Sequence, residues 1–150
     1  MIVVVLSDTH ASDMSDLPPR IVDEIKGAEL IIHAGDYTTK KLLDQLQELA
    51  DFKGVHGNMD SHDIKNELPA HAIVEIGGFK IGITHPSEGG SPFGLKRRVK
   101  SKLAEELDVV IYGHSHKPMN EQEGNTLYFN PGSATGTFPA RYKTYGLLHI

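Results

Sequence analysis

MIVVVLSDTH, residues 1–10, sets an uninterrupted apolar run, Ile2–Leu6, directly before a polar quartet, Ser7-Asp8-Thr9-His10. β-branched residues without polar alternation are the pattern of a strand covered on both faces, as in the parallel sheets of α/β proteins. The quartet places a carboxylate and an imidazole at the carboxyl end of that strand, the edge where ligands collect in such sheets. Fold and chemistry are both read from this stretch.

The same alternation continues along the chain. Pro18 and Pro19 suit a helix start, with Ile21, Val22 and Ile25 on one face. Residues 30–34 form a second strand. Thr38 or Thr39 caps a second helix striped by Leu42, Leu43, Leu46 and Leu49. Residues 52–55 make a short third strand. Residues 72–76 and 79–84 flank Gly77-Gly78 as a tight hairpin. A third helix carries Leu95, Val99, Leu103 and Leu107 at a spacing of four, and residues 109–112 are another buried strand. Residues 127–129 and 145–150 read as antiparallel strands. A parallel first half and a hairpin-rich second half predict an α/β fold: a four-layer α-β-β-α sandwich of two mixed sheets flanked by helices.

Composition narrows the class. A chain of 150 residues fits a single domain over 1–150 with one substantial core. No apolar run approaches the ~20 residues that span a bilayer, so no membrane partner is expected. The amino terminus lacks the basic leader of a secretory signal. Cysteine is absent, which removes disulfides and thiolate metal sites and fits a cytoplasmic protein. A net charge of −5 argues against nucleic acid as a partner. The basic run Lys96, Arg97, Arg98, Lys100 and Lys102 coincides with the polar positions of the third helix and reads as its solvated face. Self-association is left open.

Five polar clusters each follow an expected strand: SDTH (7–10), GD (35–36), GNMD (57–60), TH (84–85) and GHSH (113–116). They supply Asp8, His10, Asp36, Asn58, His85, His114 and His116 as candidate metal ligands. Oxygen and imidazole donors without thiolate suit borderline-to-hard divalent ions; Mn2+ is the one expected, with Ni2+, Zn2+ or Fe2+ as alternatives. Seven donors exceed the four usual for one zinc ion, so two divalent ions are expected. Alternate residues of an extended chain face opposite sides, so Asp8/His10 and His114/His116 converge only if the backbone turns sharply beyond each strand. Two dications ~4 Å apart repel by roughly 16 kcal/mol at an effective dielectric near 20. A bridging carboxylate is therefore required, and Asp36 after Gly35 fits best.

D-x-H, GD, GN-x-D, H and GHSH in this order resemble the calcineurin-like metallophosphoesterase superfamily. The resemblance is narrower to its small single-domain phosphodiesterase branch, related to the metallophosphoesterase-fold subunit of retromer. It runs from Ile2 to about Ser133 and includes NPGS at 130–133. It implies one ion on Asp8, His10, Asp36 and His116 and a second on Asp36, Asn58, His85 and His114. It also implies a phosphoesterase that attacks phosphorus with a hydroxide bridging the two ions, acting on a small phosphoester. Asn58 and His114 then carry catalytic roles, with Asp60 as an orienting carboxylate. A diester is favoured over a monoester, because two dications, two aspartates and a hydroxide leave about one positive charge.

Two departures from the family pattern stand out. Met59 occupies the place where many members carry a histidine that protonates the leaving group, and His62 is the candidate substitute. THPSEGG after His85 lacks a further histidine found in relatives. The alternatives are a non-catalytic protein-interaction scaffold, which would be free to lose its ligands, and a phosphomonoesterase. A binuclear TIM-barrel amidohydrolase needs ~250 residues. His33 reads as a hydrogen-bonded interior histidine, His56, His71 and His149 as ordinary ones, and Ser133 as turn structure.

Overall fold

The computed structural model describes residues 1–88, 93–103 and 106–150. β1 (Ile2–Leu6) has both faces covered, and the two parities of its run enter different cores. Val4 and Leu6 pack with Ile21 and Ile25 of α1 (Pro19–Gly27) and with Leu42, Leu43 and Leu46 of α2 (Lys40–Leu49). Val3 and Val5 instead meet Ile81, Ile83 and Ile111 across the molecule. An unbroken apolar run is what a strand needs when one side faces helices and the other a second sheet.

The first sheet adds β2 (Leu30–His33), β3 (Asp51–Gly54) and β9 (Gly146–His149) in the order β3-β2-β1-β9. β2 pairs parallel with β1 and β3, and β9 pairs antiparallel with β1. The second sheet has the order β4-β5-β6-β8-β7, from β4 (His71–Ile76), β5 (Phe79–Thr84), β6 (Val109–Tyr112), β7 (Met119–Glu123) and β8 (Thr126–Asn130). Both sheets are mixed. α3 (His62–Glu67) adds Ile64 to the outer core of the first sheet, and α4 (Leu95–Lys102) lays Val99 on the outer face of the second. The expected four layers are present.

Local signals hold in detail. Thr39 accepts from Leu42 N–H as the cap of α2. Gly77 and Gly78, at φ 58° and 84°, turn the β4–β5 hairpin as its two-residue loop. The tail departs from expectation: β9 is antiparallel to its neighbour, but β8 lies parallel to β6 and antiparallel only to β7. β7 (MNEQE) is a polar edge strand with no apolar pattern to reveal it. The stripe expected to continue to Leu107 leaves the helix at Lys102; residues 104–105 lie outside the described residues, and Leu107 joins the same core from beyond the helix. The basic face of α4 is paired: Lys96 reaches Glu121 and Glu123 of β7, and Lys100 pairs with Glu123, with both ammonium groups over the Tyr128 ring. Among the described residues no helix is long and apolar enough to cross a membrane.

The two sheets close tightly at Gly146, where a Cβ would lie 2.4 Å from the ring of Phe129. Gly146→Ala is expected to lower stability by about 1–3 kcal/mol in urea unfolding. An unchanged midpoint would mean that the ring moves aside freely and that this contact does not set the sheet spacing.

Candidate metal centre

The predicted clusters converge where the carboxyl ends of strands from both sheets meet. Asp8 and His10 follow β1 and Asp36 follows β2, while His85 follows β5 and His114 and His116 follow β6. The sharp turns that the D-x-H and H-x-H spacings demanded are made by the donor residues themselves. Asp8, His10, Asp36, His114 and His116 have φ of 50°, 43°, 61°, 80° and 58°; Thr38 is the sixth non-glycine residue with positive φ among the described ones. Left-handed backbone at such residues is unfavourable and clusters at functional sites. Here it is enforced by hydrogen bonds from Asp8 N–H to Gly35 C=O at 3.0 Å and from His10 N–H to Asp36 C=O at 3.0 Å. No glycine marks the first turn, so the sequence does not announce it.

Asp8, His10, Asp36 and His116 present one donor atom each, all within 4.8 Å of one another. These are the four residues that the resemblance grouped around one ion. Asp8 Oδ2 is occupied by the Ser7 hydroxyl at 2.7 Å and His114 N–H at 3.0 Å. Asp8 Oδ1, buried, accepts no hydrogen bond and lies 3.2 Å from His116 Nε2. Asp36 divides in the same way: Oδ1 accepts from Met59 N–H at 2.9 Å, while Oδ2 lies 3.6 Å from His10 Nε2 and 3.3 Å from His85 Nε2.

The imidazoles are oriented from behind. His85 Nδ1 donates to Ala34 C=O at 2.8 Å and His116 Nδ1 to Thr137 C=O at 2.9 Å. A ring whose Nδ1–H is committed to a carbonyl turns its Nε2 lone pair to the centre, the usual arrangement behind a metal-bound histidine. His85 Nε2 is buried and completes no hydrogen bond, so its attraction to Asp36 is one of charge. His10 and His116 bring their Nε2 atoms to 3.3 Å. Two unshared acceptor atoms and converging imidazole nitrogens in a buried space fit a divalent cation.

Charge shifts follow from the crowding. Burial pushes the Asp8 carboxyl up, but His116, His85 and the Ser7 hydroxyl outweigh it and hold the group below its ordinary value. Burial also opposes ionisation of Asp36, yet His85, the Met59 amide and His10 bring it down to about 2. Burial disfavours a charged His85, but Asp36 and Asp8 raise it to about 9. Burial lowers His10 despite the two aspartates, and burial with the neighbouring His85 lowers His114.

The second expected set is looser. His85 and His114 stand edge to face with ring centroids 5.3 Å apart. Asn58 is exposed on its turn, where its carbonyl accepts from Lys65 Nζ at 3.0 Å. Asn58 and His85 line one cavity of about 240 Å3. Asp60 does not face the donors; it accepts from Gly57, Asp36 and Thr38 N–H groups at 2.7, 3.0 and 2.9 Å and so positions Asp36. Met59 is exposed and offers only its amide, and His62 is exposed at the start of α3. Residues 89–90 of THPSEGG lie outside the described residues.

Sequence reasoning missed the supports. Ser133 is fully buried, its hydroxyl donating to Asp8 C=O at 2.7 Å and accepting from Thr137 N–H at 3.0 Å. Thr135 Oγ1 donates to Thr9 C=O at 2.6 Å. Small polar residues in a turn carry no signal of the distant backbone they bind. His33 is the interior histidine expected: Nδ1 accepts from Gly35 N–H at 3.1 Å, so Nε2–H faces the Thr9 hydroxyl at 3.1 Å.

The motif glycines mark close approaches. A Cβ on Gly57 would lie 2.0 Å from Asp36 Oδ1, and one on Gly113 would lie 2.0 Å from Ser7 Oγ. Gly57→Ala should therefore displace the Asp36 carboxylate and weaken divalent-ion affinity about 10- to 100-fold by calorimetric titration; retained affinity would show that Asp36 is not held by this contact. His33 gives a second expectation. Burial lowers its pKa from the ordinary 6.5 to about 3. Between those values the unfolded chain binds a proton that the folded one excludes, so stability falls as pH drops, by up to about 1.4 kcal/mol per unit. In metal-free protein, His33→Gln should flatten the loss of urea stability between pH 6.5 and 5. Equal slopes would place the proton elsewhere.

The sequence profile of the calcineurin-like phosphoesterase superfamily domain matches residues 1–150. A probable metallophosphoesterase of Methanocaldococcus jannaschii is 40% identical over 139 residues, spanning 90% of this chain and 69% of that protein. A phosphodiesterase of the same organism is 31% identical over 153 residues, spanning 91% and 86%. Among solved structures, wild-type Vps29 of Entamoeba histolytica complexed with Zn2+ covers 100% of this chain and 86% of its own, at 28% identity and a TM-score of 0.79.

Proposed function

The chain belongs to the calcineurin-like phosphoesterase superfamily, and we propose that residues 1–150 form one catalytic domain, a phosphodiesterase that works with two divalent metal ions. The observation that carries this reading is the pair of buried, unpartnered atoms Asp8 Oδ1 and His85 Nε2. Asp36 Oδ2 lies 3.6 Å from His10 Nε2 and 3.3 Å from His85 Nε2, which supports it as the carboxylate shared by two sets of donors. Asp8, His10, Asp36 and His116 would hold one ion; Asp36, Asn58, His85 and His114 would hold the other. Mn2+ is the ion proposed first, suited to the carboxylate donors, with Ni2+, Zn2+ and Fe2+, which suit the imidazoles, as competitors. Bound there, the ions supply Lewis acidity, making water a nucleophile near neutral pH and neutralising charge on the phosphoryl oxygens.

The residues of this chain supply position and charge. Asp60 fixes Asp36 through three backbone amides. Burial and the neighbouring His85 lower the His114 pKa, which favours the neutral ring that a metal ligand requires. Met59 has no proton to give, so a leaving group of low pKa is the fitting one. The diester preference rests on shape as well as charge. A cavity of about 240 Å3 adjoins Asn58 and His85, and another of about 480 Å3 adjoins His116. A diester has two substituents to place and a monoester only one. The related phosphodiesterase of M. jannaschii supports the same preference. A scaffold without catalysis would have no need to keep two donor atoms buried and unsatisfied.

Metal-stripped protein titrated with Mn2+, Ni2+, Zn2+ and Mg2+ tests the reading. Turnover of bis(p-nitrophenyl) phosphate should return with Mn2+ and exceed that of p-nitrophenyl phosphate by about tenfold or more. Asn58→Ala and His114→Ala should each lower kcat/KM by about 100-fold. Absence of turnover with every metal would favour the scaffold, and a clear monoester preference would remove the diester argument.

A further inference from the structure

The proposed chemistry leaves unused residues 139–142, which wall the cavity beside His116. That cavity, about 480 Å3, is lined by His116, Lys117, Pro118, Pro139, Arg141 and Tyr142 among others. Its volume is within the ~300–1,000 Å3 of small-molecule sites. The chain just before this wall is tied to the donors: Thr137 C=O holds the His116 ring, Ser133 Oγ holds Asp8 C=O, and Thr135 Oγ1 holds Thr9 C=O. His116 belongs both to the donors and to the cavity lining, so a ligand in the cavity adjoins the centre.

Two features of the lining specify a ligand. The first is charge. Lys117 and Arg141, both exposed, line this cavity, and no carboxylate lines it with them. In a chain of net charge −5, two cations beside one cavity form a local site for an anion. The second is a flat surface. Tyr142 is 72% exposed next to Pro118 and Pro139, a ring left in water beside two prolyl faces. Aromatic platforms of this kind bind heteroaromatic rings by stacking.

Resting on the phosphodiesterase reading, we propose that this cavity is the subsite for a nucleotide substituent of the diester. Its base stacks on Tyr142, and its own phosphate lies between Lys117 and Arg141. The smaller cavity at Asn58 and His85 takes the other, slighter substituent, so the two volumes fix which way the diester lies across the centre.

Calorimetric titration of the Mn2+-loaded protein tests the subsite with three probes: thymidine 3′,5′-bisphosphate, 1,3-propanediol bisphosphate and inorganic phosphate. The nucleoside bisphosphate should bind at least about tenfold more tightly than the bisphosphate lacking a base. Tyr142→Ala should remove that margin and Tyr142→Phe should keep it. Lys117→Ala with Arg141→Ala should remove the margin of both bisphosphates over inorganic phosphate, whereas Lys26→Ala should not. Equal affinities for the three probes, or margins indifferent to these variants, would overturn the subsite even if the protein hydrolyses diesters. Margins that follow the variants in a protein that hydrolyses no ester would sustain the subsite and remove the hydrolase reading instead.

Discussion

Four donor atoms, two of them carboxylate oxygens, lie within 4.8 Å of one another in a buried space. Two unit negative charges at that distance repel by about 3.5 kcal/mol at an effective dielectric near 20, before the cost of removing them from water. Much of the surrounding structure holds this crowd in place. Left-handed backbone at five donor residues, the close approaches at Gly57 and Gly113, and the amides gathered on Asp60 each oppose its dispersal. In the metal-free state the compensation comes from protons, which is why His85 and His116 are raised while both carboxyls are lowered. A divalent cation provides the same compensation without a proton.

The crowd also depends on the packing of one sheet against the other. Asp8, His10 and Asp36 come from strand ends of the first sheet, and His85, His114 and His116 from strand ends of the second. The donors meet only because Val3, Val5 and Ile32 press against Ile81, Ile83 and Ile111. Apolar burial, non-directional on its own, thereby sets distances that coordination chemistry uses. The direct hydrogen bond from His114 N–H to Asp8 Oδ2 crosses the same seam, so a shift of either sheet is felt first at a donor.

The layers and the donors were legible in the sequence because each rests on a local pattern. An unbroken apolar run names a strand with two covered faces, and the polar residue after it names the strand's working end. The four donors gathered in the structure are the ones that the family resemblance of the motifs grouped around one ion. What could not be read rests on contacts distant in sequence. Ser133 and Thr135 act on backbone 125 and 126 residues away, and no spacing rule links them. β7 escaped because a polar edge strand is stabilised by its neighbour β8 and by the α4 lysines rather than by its own burial. The direction of β8 escaped because parallel and antiparallel pairing share one side-chain period.

Position 59 shows how the fold separates structure from chemistry. Its amide holds Asp36 Oδ1, while its side chain is 60% exposed. Any residue but proline at that position supplies the amide, so a methionine there leaves the Asp36 carboxylate as firmly placed as a histidine would. Asp60 is the opposite case: its side chain is consumed by three backbone amides, and no residue without two acceptor oxygens can replace it. The loss of a proton donor at position 59 is thus invisible to the architecture of the centre. It bears only on the leaving group, which departs without a proton from this side of the site and therefore must be stable as an anion.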